Sequence, residues 1–397
     1  MNKFNSIFSQ ILHIFPRMEF EKIVRQTQAE KGAKGFSCWQ QFVAMMFCQL
    51  GQAHSLREIC HGLASCFGKV KHLGMKEAPK RSTLSYANEH RPWEVYQKVF
   101  FKLLSLCQGE FVGKKKFRFR NKLLSFDATL IELCASLFNW ARYRRTKGAV
   151  KLHLLLDHEG YLPEFVHITE GKVHELRILR TLHFSPGTIV VFDRGCVDYE
   201  LFSIWTEEGV YFVTRLKRNA DYRVVQRNPV PERGNILRDD LIQLHGFYSK
   251  KSCPYLLRRI VVWDAEKKEE IILLTNHLEF GATTISAIYK DRWQIEIFFK
   301  MLKQNLRVKT FVGTSANALK IQIWTALIAI LILKYLQMKA RIHWSLSNLV
   351  ALLRLNLFTY RSLWRWINNP YETPPIEPLP RQMSLDFKYV GQHRRVT

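Results

Sequence analysis

The spacing of apolar residues along the chain changes near Leu123. Before this point apolar residues recur every three or four positions, as in FVAMMFCQL at residues 42–50, and this period predicts α-helices. After it, runs such as TIVVF and VYFVTRLK predict strands. The order from Leu123 reads as three strands, a helix, a strand, a helix and a further strand, which predicts a mixed α/β sheet.

The same patterns divide the chain into segments. We predict an all-helical N-terminal domain at residues 1–112, a basic linker at 113–122, an α/β domain at 123–217 and 282–340 with a β-rich insertion at 218–281, and a C-terminal helical region and tail at 341–397.

The most apolar stretch, residues 321–333, is shorter than the ~18–20 residues needed to cross a bilayer. It predicts a buried core helix, and we expect no membrane partner. The eight cysteines contain no C-x-x-C pair, which predicts reduced thiols rather than a zinc site.

The charge of the chain indicates what it binds. Lys and Arg outnumber Asp and Glu by 60 to 34, a formal net charge of +26, and so positive a surface attracts polyanions, nucleic acid first among them. Residues 55–91 have the outline of a helix-turn-helix around a basic turn, although plain helical packing gives the same outline. The segment GKKKFRFRNK is either a solvated linker or a segment that follows a DNA backbone.

Two aspartates close apolar runs that are predicted as strands. Asp127 follows LLSF and Asp193 follows TIVVF, and strand ends on neighbouring strands of one sheet can bring two carboxylates together. The alternative is that each aspartate only begins a turn. Other acids near predicted strands could compete for a role in the site: Glu132, Asp157, Glu170 and Asp198.

The strongest chemical pattern lies in the late helix IYKDRWQIEIFFKMLKQNL, residues 288–306. At 100° per residue, four of its side chains fall within an arc of about 60°: Tyr289, Arg292, Glu296 and Lys303. Lys300 and Trp293 flank that arc. A solvated face with ion pairs would not account for the aromatic rings. A single carboxylate among cations and aromatic rings instead suits a site where metal ions and phosphate arrive together.

These residues resemble a known family. The spacing Tyr289-x2-Arg292-x3-Glu296-x6-Lys303 is similar to the signature of the Y-R-E-K class of bacterial insertion-sequence DDE transposases. The resemblance extends to FDAT, to VVFDRG, to the strand-rich insertion and to the helical N-terminus, and so covers most of the chain. One departure is Cys196, which stands where the family commonly has an aromatic residue.

The resemblance implies a ribonuclease-H-like catalytic core with a β-rich insertion. It implies that three acids form the catalytic, metal-holding triad: Asp127, Asp193 and Glu296. It also implies that Tyr289, Arg292 and Lys303 contact the DNA backbone and that Trp293 stacks on an unpaired base. We add Lys300 to these DNA-binding residues because it flanks the same helical face.

The chemistry of three carboxylates agrees with this assignment. Two Mg²⁺ ions, with Mn²⁺ as a substitute, can activate a nucleophile and stabilise a leaving oxygen when ~3.5–4 Å apart. Mg²⁺ also prefers oxygen ligands.

From the motifs, the resemblance and the charge together we expect a cytoplasmic, nucleoid-associated DNA transposase acting on double-stranded transposon ends and target DNA. The resemblance further implies hairpin ends and a homodimeric synaptic complex. A structure-specific nuclease on the same fold and a catalytically retired DNA-binding regulator remain as alternatives, and inverted repeats flanking the gene would separate transposase from nuclease.

Overall fold

The computed structural model describes residues 5–66, 68–110, 116–134, 142–144, 147–305 and 312–372. The first part of the predicted basic linker and the tail from residue 373 onward lie outside the described residues.

The N-terminal part that the structure describes, residues 5–66 and 68–110, contains six α-helices and one 3₁₀ helix at residues 69–73. The α-helices are α1 (Ile7–Leu12), α2 (Arg17–Gln26), α3 (Cys38–Leu50), α4 (Leu56–Ser65), α5 (Arg81–His90) and α6 (Glu94–Glu110). Ser55 caps α4 by accepting the Glu58 N–H at 3.1 Å, while the Glu58 carboxylate accepts the N–H of His54 at 2.8 Å. These side chains satisfy backbone donors that the first helical turn leaves unpaired.

A large mixed sheet follows. Its strands are β1 (Leu123–Cys134), β2 (Arg142–Arg144), β3 (Lys147–Asp157), β4 (Leu162–Glu170), β5 (Ile189–Phe192), β6 (Tyr211–Arg215), β7 (Tyr222–Arg227), β8 (Ile236–Leu244), β9 (Leu257–Asp264) and β10 (Glu269–Thr275). The order is β2-β3-β1-β5-β6-β10-β9-β8-β7, with β4 also paired to β3. Strands β1, β5 and β6 run parallel, and the other pairs are antiparallel. The predicted mixed α/β sheet is confirmed.

The strands predicted as an insertion continue this sheet. Strand β10 pairs with β6, so that β10, β9, β8 and β7 extend the same hydrogen-bonded ladder. A buried ion pair joins two of them, because Arg258 on β9 donates to both carboxylate oxygens of Asp239 on β8, at 2.8 and 2.6 Å. The same guanidinium donates to the Leu278 carbonyl at 3.1 Å. It therefore fixes the connection that leads from the strands to the next helices.

Helices cover both faces of the sheet. On one face α7 (Glu175–Leu179) and α8 (Tyr199–Glu207) pack over β1, β5 and β6, with α9 (Phe247–Ser252) beside α8. On the other face lies α10 (Ala282–Asp291), followed directly by α11 (Trp293–Asn305). The predicted single late helix is thus divided at Arg292, whose N–H donates to the Tyr289 carbonyl at 3.2 Å. Such an i→i−3 bond tightens a helix end.

The C-terminal helices are α12 (Ala316–Lys339), α13 (Leu346–Asn356) and α14 (Leu363–Asn368). Residues 321–333 of α12 are fully buried, against α3, α5, α6, α11 and α13. Of the described helices, α12 is the one long and apolar enough to cross a membrane, and most of its apolar stretch lies inside the protein. Helices α1–α6 share one hydrophobic core with these C-terminal helices.

Candidate active site

Two neighbouring parallel strands bring Asp127 and Asp193 together. In the register of β1 and β5, Phe126 lies opposite Phe192, so each aspartate is the next residue on its own strand. Asp193 directly follows β5, as its sequence predicts. Asp127 does not end β1, because the strand continues to Cys134 in its antiparallel pairing with β3. The prediction of a strand end was therefore wrong for Asp127, although the expected adjacency of the two strands is present.

The carboxylate of Asp127 is held in a mostly buried position. Its side chain is 20% exposed, and Oδ1 accepts the N–H of Ala128 at 2.8 Å. Burial raises the pKa of Asp127 to about 6, while the Ala128 N–H and the Arg292 charge act in the opposite direction. Desolvation disfavours the charged carboxylate more than these partners favour it.

Arg292, between α10 and α11, bridges two of the predicted acids. Its Nη2 donates to Glu296 Oε1 at 2.8 Å, and its Nη1 lies 3.4 Å from Asp127 Oδ2. The Tyr289 hydroxyl lies 3.5 Å from Asp193 Oδ1. The acids of β1, β5 and α11 are therefore linked through Arg292 and Tyr289, both predicted as DNA contacts.

Two guanidinium groups lie near the ring of Tyr289. It is 7% exposed, and burial raises its pKa. The Arg292 guanidinium carbon lies 5.6 Å from the centre of its ring, and that of Arg215, at the end of β6, lies 5.5 Å away. The sequence pattern did not single out Arg215, because its place beside Tyr289 depends on the packing of α10 against β6.

The remaining predicted DNA-binding residues lie along α11. Trp293 is 56% exposed, and Ile297 beside it on the helix is 44% exposed. Lys300 is exposed and Lys303 is half-buried. Residues 293, 297 and 300 follow helical spacing, so they form one outer stripe of α11. Arg292 instead contacts both Asp127 and Glu296, so Arg292 and Glu296 do not belong to this exposed stripe.

A buried polar network lies next to Arg292 in the chain. The Asp291 side chain is 1% exposed and pairs with Lys116 and with His158 Nδ1, the latter at 2.6 Å. His158 Nε2 lies 2.6 Å from Ser125 Oγ, and the Tyr161 hydroxyl donates to Asp291 at 3.2 Å. This network, which the sequence pattern missed, fixes the junction of α10 and α11 against β1.

Glu175 is a further acid beside the centre that the sequence analysis did not single out. It begins α7, where its Oε2 lies 3.9 Å from the Cys196 thiol and its Oε1 lies 3.5 Å from Lys151 Nζ. Burial, and Glu175 after it, raises the pKa of Cys196. Cys196 is thus a buried thiol behind Asp193.

The competing acids make contacts of their own. Asp198 caps α8 through the Leu201 N–H at 3.1 Å and pairs with Arg180. Glu170 pairs with Lys172 at 2.8 Å. Asp157 lies opposite Leu124, away from Asp127, and accepts the Glu159 N–H at 2.8 Å. Glu132 is exposed on β1.

The centre holds positive charge already. Among the described residues, no group of three or more His, Cys, Asp or Glu side chains is spaced to hold a metal ion as the protein stands. The Arg292 guanidinium instead lies between two of the carboxylates.

Comparison with known proteins gives consistent matches. Residues 118–332 match the family model of the transposase DDE domain, and residues 3–76 match a domain of unknown function, DUF4372. A protein named as a transposase, y4zB of Sinorhizobium fredii, is 30% identical over 324 residues, covering 79% of this chain and 87% of the relative. A protein named as the transposase of insertion sequence element IS5377, from Geobacillus stearothermophilus, is 28% identical over 270 residues, covering 67% and 70%. The cryo-EM structure of the piggyBac transposase synaptic complex with hairpin DNA aligns over 95% of this chain and 84% of its own, with a TM-score of 0.45 and 11% identity.

Proposed function

This chain belongs to the DDE transposase family of bacterial insertion sequences, and from that membership we propose how it performs transposition. It binds the terminal inverted repeats of its element, cleaves the ends by metal-dependent phosphodiester hydrolysis and joins the 3′-hydroxyls to target DNA. The observation that supports this proposal is that Arg292 contacts both Asp127 and Glu296 while Tyr289 contacts Asp193.

The strand order supports a ribonuclease-H-like assignment of the catalytic core. Strands β4, β3 and β1 are antiparallel, and the parallel strands β5 and β6 follow through α7 and α8. In parallel sheets, functional groups gather at the carboxyl ends of the strands. That placement is the one found here for Asp193, with Asp127 beside it.

The residues of the centre fit a divalent metal by their donor chemistry. Asp127, Asp193 and Glu296 offer carboxylate oxygens, which Mg²⁺ and Mn²⁺ prefer. The guanidinium between Asp127 and Glu296 marks a position where a cation is already stabilised. When bound, two metal ions supply an activated nucleophile and stabilise the leaving oxygen.

The protein's own groups bind and orient the DNA. Lys300, Lys303 and Arg292 supply positive charge for backbone phosphates, and Trp293 exposes an indole that can stack on an unpaired base. Tyr289 contacts the second acid and so orients Asp193. A homodimeric synaptic complex, hairpin ends and action at the nucleoid in the cytoplasm are part of the same proposal.

Helix α5 is the element proposed to read the transposon end. Leu84 and Asn88 face inward, and Asn88 accepts from Gln41 on α3 at 2.8 Å. The outer face presents Arg81 and Tyr86, whose ring is 66% exposed and stacks on His90 at 4.0 Å. Exposed lysines precede the helix at positions 76 and 80. A firmly packed helix with a basic start and a polar, aromatic outer face suits the major groove.

Two substitutions on α5 should separate phosphate contacts from sequence reading. Arg81→Ala should weaken binding to all DNA and lower the slope of log K against log salt by about 1. Tyr86→Ala should lower affinity for the inverted repeat by about tenfold and affinity for scrambled DNA much less. Fluorescence anisotropy at several salt concentrations measures both. Lys102→Ala on α6, which removes a cation paired with Glu19, is the matched control. Equal losses of DNA affinity in all three variants would contradict the proposal that α5 reads the transposon end.

The proposed function is tested by joining a labelled, pre-cleaved transposon end to a plasmid with Mg²⁺ or with EDTA. Metal-dependent joined products support transposition. Cleavage of uncut ends without joining would indicate the structure-specific nuclease, and binding without either reaction would indicate the retired regulator.

A further inference from the structure

Two partly buried carboxylates share one guanidinium in this protein. The side chain of Arg292 is 11% exposed, and those of Asp127 and Glu296 are 20% and 32% exposed. Arg292 reaches Glu296 at 2.8 Å and Asp127 at 3.4 Å. Without a cation between them, two carboxylates this close to one point would repel each other. Arg292 therefore acts as their counter-ion.

Arg292 does not use all of its hydrogen-bonding capacity there. Guanidinium carries five N–H donors in a planar fork. Its contact to Asp127, at 3.4 Å, is longer than a typical N–H···O bond. Its Nε is buried and has no hydrogen-bond partner among the described residues. The position therefore leaves part of the donor capacity of Arg292 unused.

The backbone on the N-terminal side of Arg292 is anchored. Asp291 is fixed by Lys116, by His158 at 2.6 Å and by Tyr161 at 3.2 Å. Arg292 itself has helical backbone angles, φ −50° and ψ −31°. The junction of α10 and α11 is thus held in place, so a movement of the guanidinium away from the carboxylates would come from rotation about the side-chain bonds of Arg292.

We propose that Arg292 occupies the metal position between Asp127 and Glu296 until DNA binds, and that a backbone phosphate then draws it away. The inference rests on the proposed function and concerns the order of assembly of the same centre. Metal and guanidinium compete for the same carboxylate oxygens. Guanidinium also binds phosphate well, through paired hydrogen bonds. DNA and metal therefore bind with positive coupling, and the DNA-free protein binds metal weakly.

Exposed cationic and aromatic groups lie where the phosphate would arrive. Trp293 follows Arg292 in the chain and is 56% exposed, and Lys300 is exposed on the same helix. A DNA backbone lying along this stripe would place a phosphate within reach of a rotated Arg292. The same contact would leave the two carboxylates without their counter-ion and ready for a metal ion.

The test measures Mn²⁺ binding by electron paramagnetic resonance, with no reaction involved. In DNA-free protein, Arg292→Gln should bind Mn²⁺ about tenfold more tightly than wild type. Transposon-end DNA should tighten Mn²⁺ binding about tenfold in wild type and far less in the variant. Lys290→Gln, which removes an exposed cation two residues away on α10, should behave as wild type. Thermal unfolding with and without Mn²⁺ gives a second readout, because Mn²⁺ should raise the midpoint of Arg292→Gln more than that of wild type.

Two results would overturn the inference. They differ in whether the proposed metal-dependent function is overturned with it. Equal or weaker Mn²⁺ binding by Arg292→Gln, in a variant that unfolds cooperatively, would show that Arg292 does not compete with metal, while the proposed function would stand. Absence of Mn²⁺ binding in every variant, with DNA present, would overturn the inference together with the proposed metal-dependent function.

Discussion

Replacing Asp127 by asparagine should abolish end cleavage and make the protein more stable at neutral pH. Loss of one member of a catalytic set commonly costs about three orders of magnitude in rate or more. Asparagine keeps the shape of the side chain and an oxygen that can accept the Ala128 N–H, but it cannot supply a negative charge. Asp157→Asn, the matched change at the competing acid, should leave cleavage within about twofold of wild type.

The gain in stability follows from the pKa of Asp127. Burial raises that pKa from 3.8 to about 6, so the folded protein binds a proton at this site more strongly than the unfolded chain. Ionisation therefore disfavours the folded state: the penalty is absent below about pH 4, grows as the pH rises and is complete above about pH 6. At about 1.4 kcal/mol per pKa unit, it reaches about 3 kcal/mol near neutral pH.

Urea unfolding of Asp127→Asn and wild type across this pH range measures the effect. The two proteins should have similar free energies of unfolding near pH 4, and the variant should exceed wild type by about 3 kcal/mol near pH 7. A difference in the free energy of unfolding that is constant with pH, or that favours wild type at pH 7, would contradict this account. It would show that ionisation of Asp127 does not destabilise the folded protein.

Placing a carboxylate in the middle of α12 should prevent the protein from folding. Ala329 is 0% exposed, and its neighbours along the helix, Ile328 and Ile330, are also fully buried. An aspartate there would have to be buried without a partner or remain neutral, and either costs several kcal/mol. Because domains are stable by only about 5–15 kcal/mol, Ala329→Asp should leave little folded protein.

Soluble yield and far-ultraviolet circular dichroism during heating measure this loss. Lys339→Gln, an exposed position in the last turn of the same helix, should change the unfolding free energy by less than about 1 kcal/mol. A soluble Ala329→Asp protein with a wild-type unfolding midpoint would show that α12 is not at the centre of the core.

The spacing of apolar residues was sufficient to predict the central part of the sheet. Short apolar runs that end at Asp127 and Asp193 predict strands, and in the structure these strands, β1 and β5, are paired in the register that puts the two residues side by side. Asp127 was placed at a strand end because the apolar run LLSF stops there, whereas β1 continues past Asp127 in its pairing with β3.

Helical spacing placed Tyr289, Arg292 and Glu296 on one face, but spacing does not reveal what that face contacts. In the structure Arg292 lies against the carboxylates, because a guanidinium near two partly buried acids is stabilised more by them than by water. The division of the helix at Arg292 depends on the Asp291 network, whose partners come from the linker and from the β3–β4 turn. No local pattern could have indicated that network.

Other differences also have tertiary causes. Helix α5 begins at Arg81, with Lys80 in the cap position and no side-chain hydrogen bond from it. The inner face of α5 packs against α3 and α12. Glu175 reaches the centre through the packing of α7 beside Cys196, which depends on the crossover from β4 to β5. The predicted domain boundaries remain predictions.

The most direct test of the catalytic centre is the joining of a pre-cleaved transposon end to plasmid DNA by wild type and by Glu296→Gln. Glu269→Gln, the same change at an exposed position on β10, is the control for removing a carboxylate outside the centre. The assignment of Asp127, Asp193 and Glu296 predicts joined products with Mg²⁺ in wild type and in Glu269→Gln. It predicts none with EDTA and none in Glu296→Gln, although Glu296→Gln should still bind the end. Joined products from Glu296→Gln, or from wild type in EDTA, would contradict it.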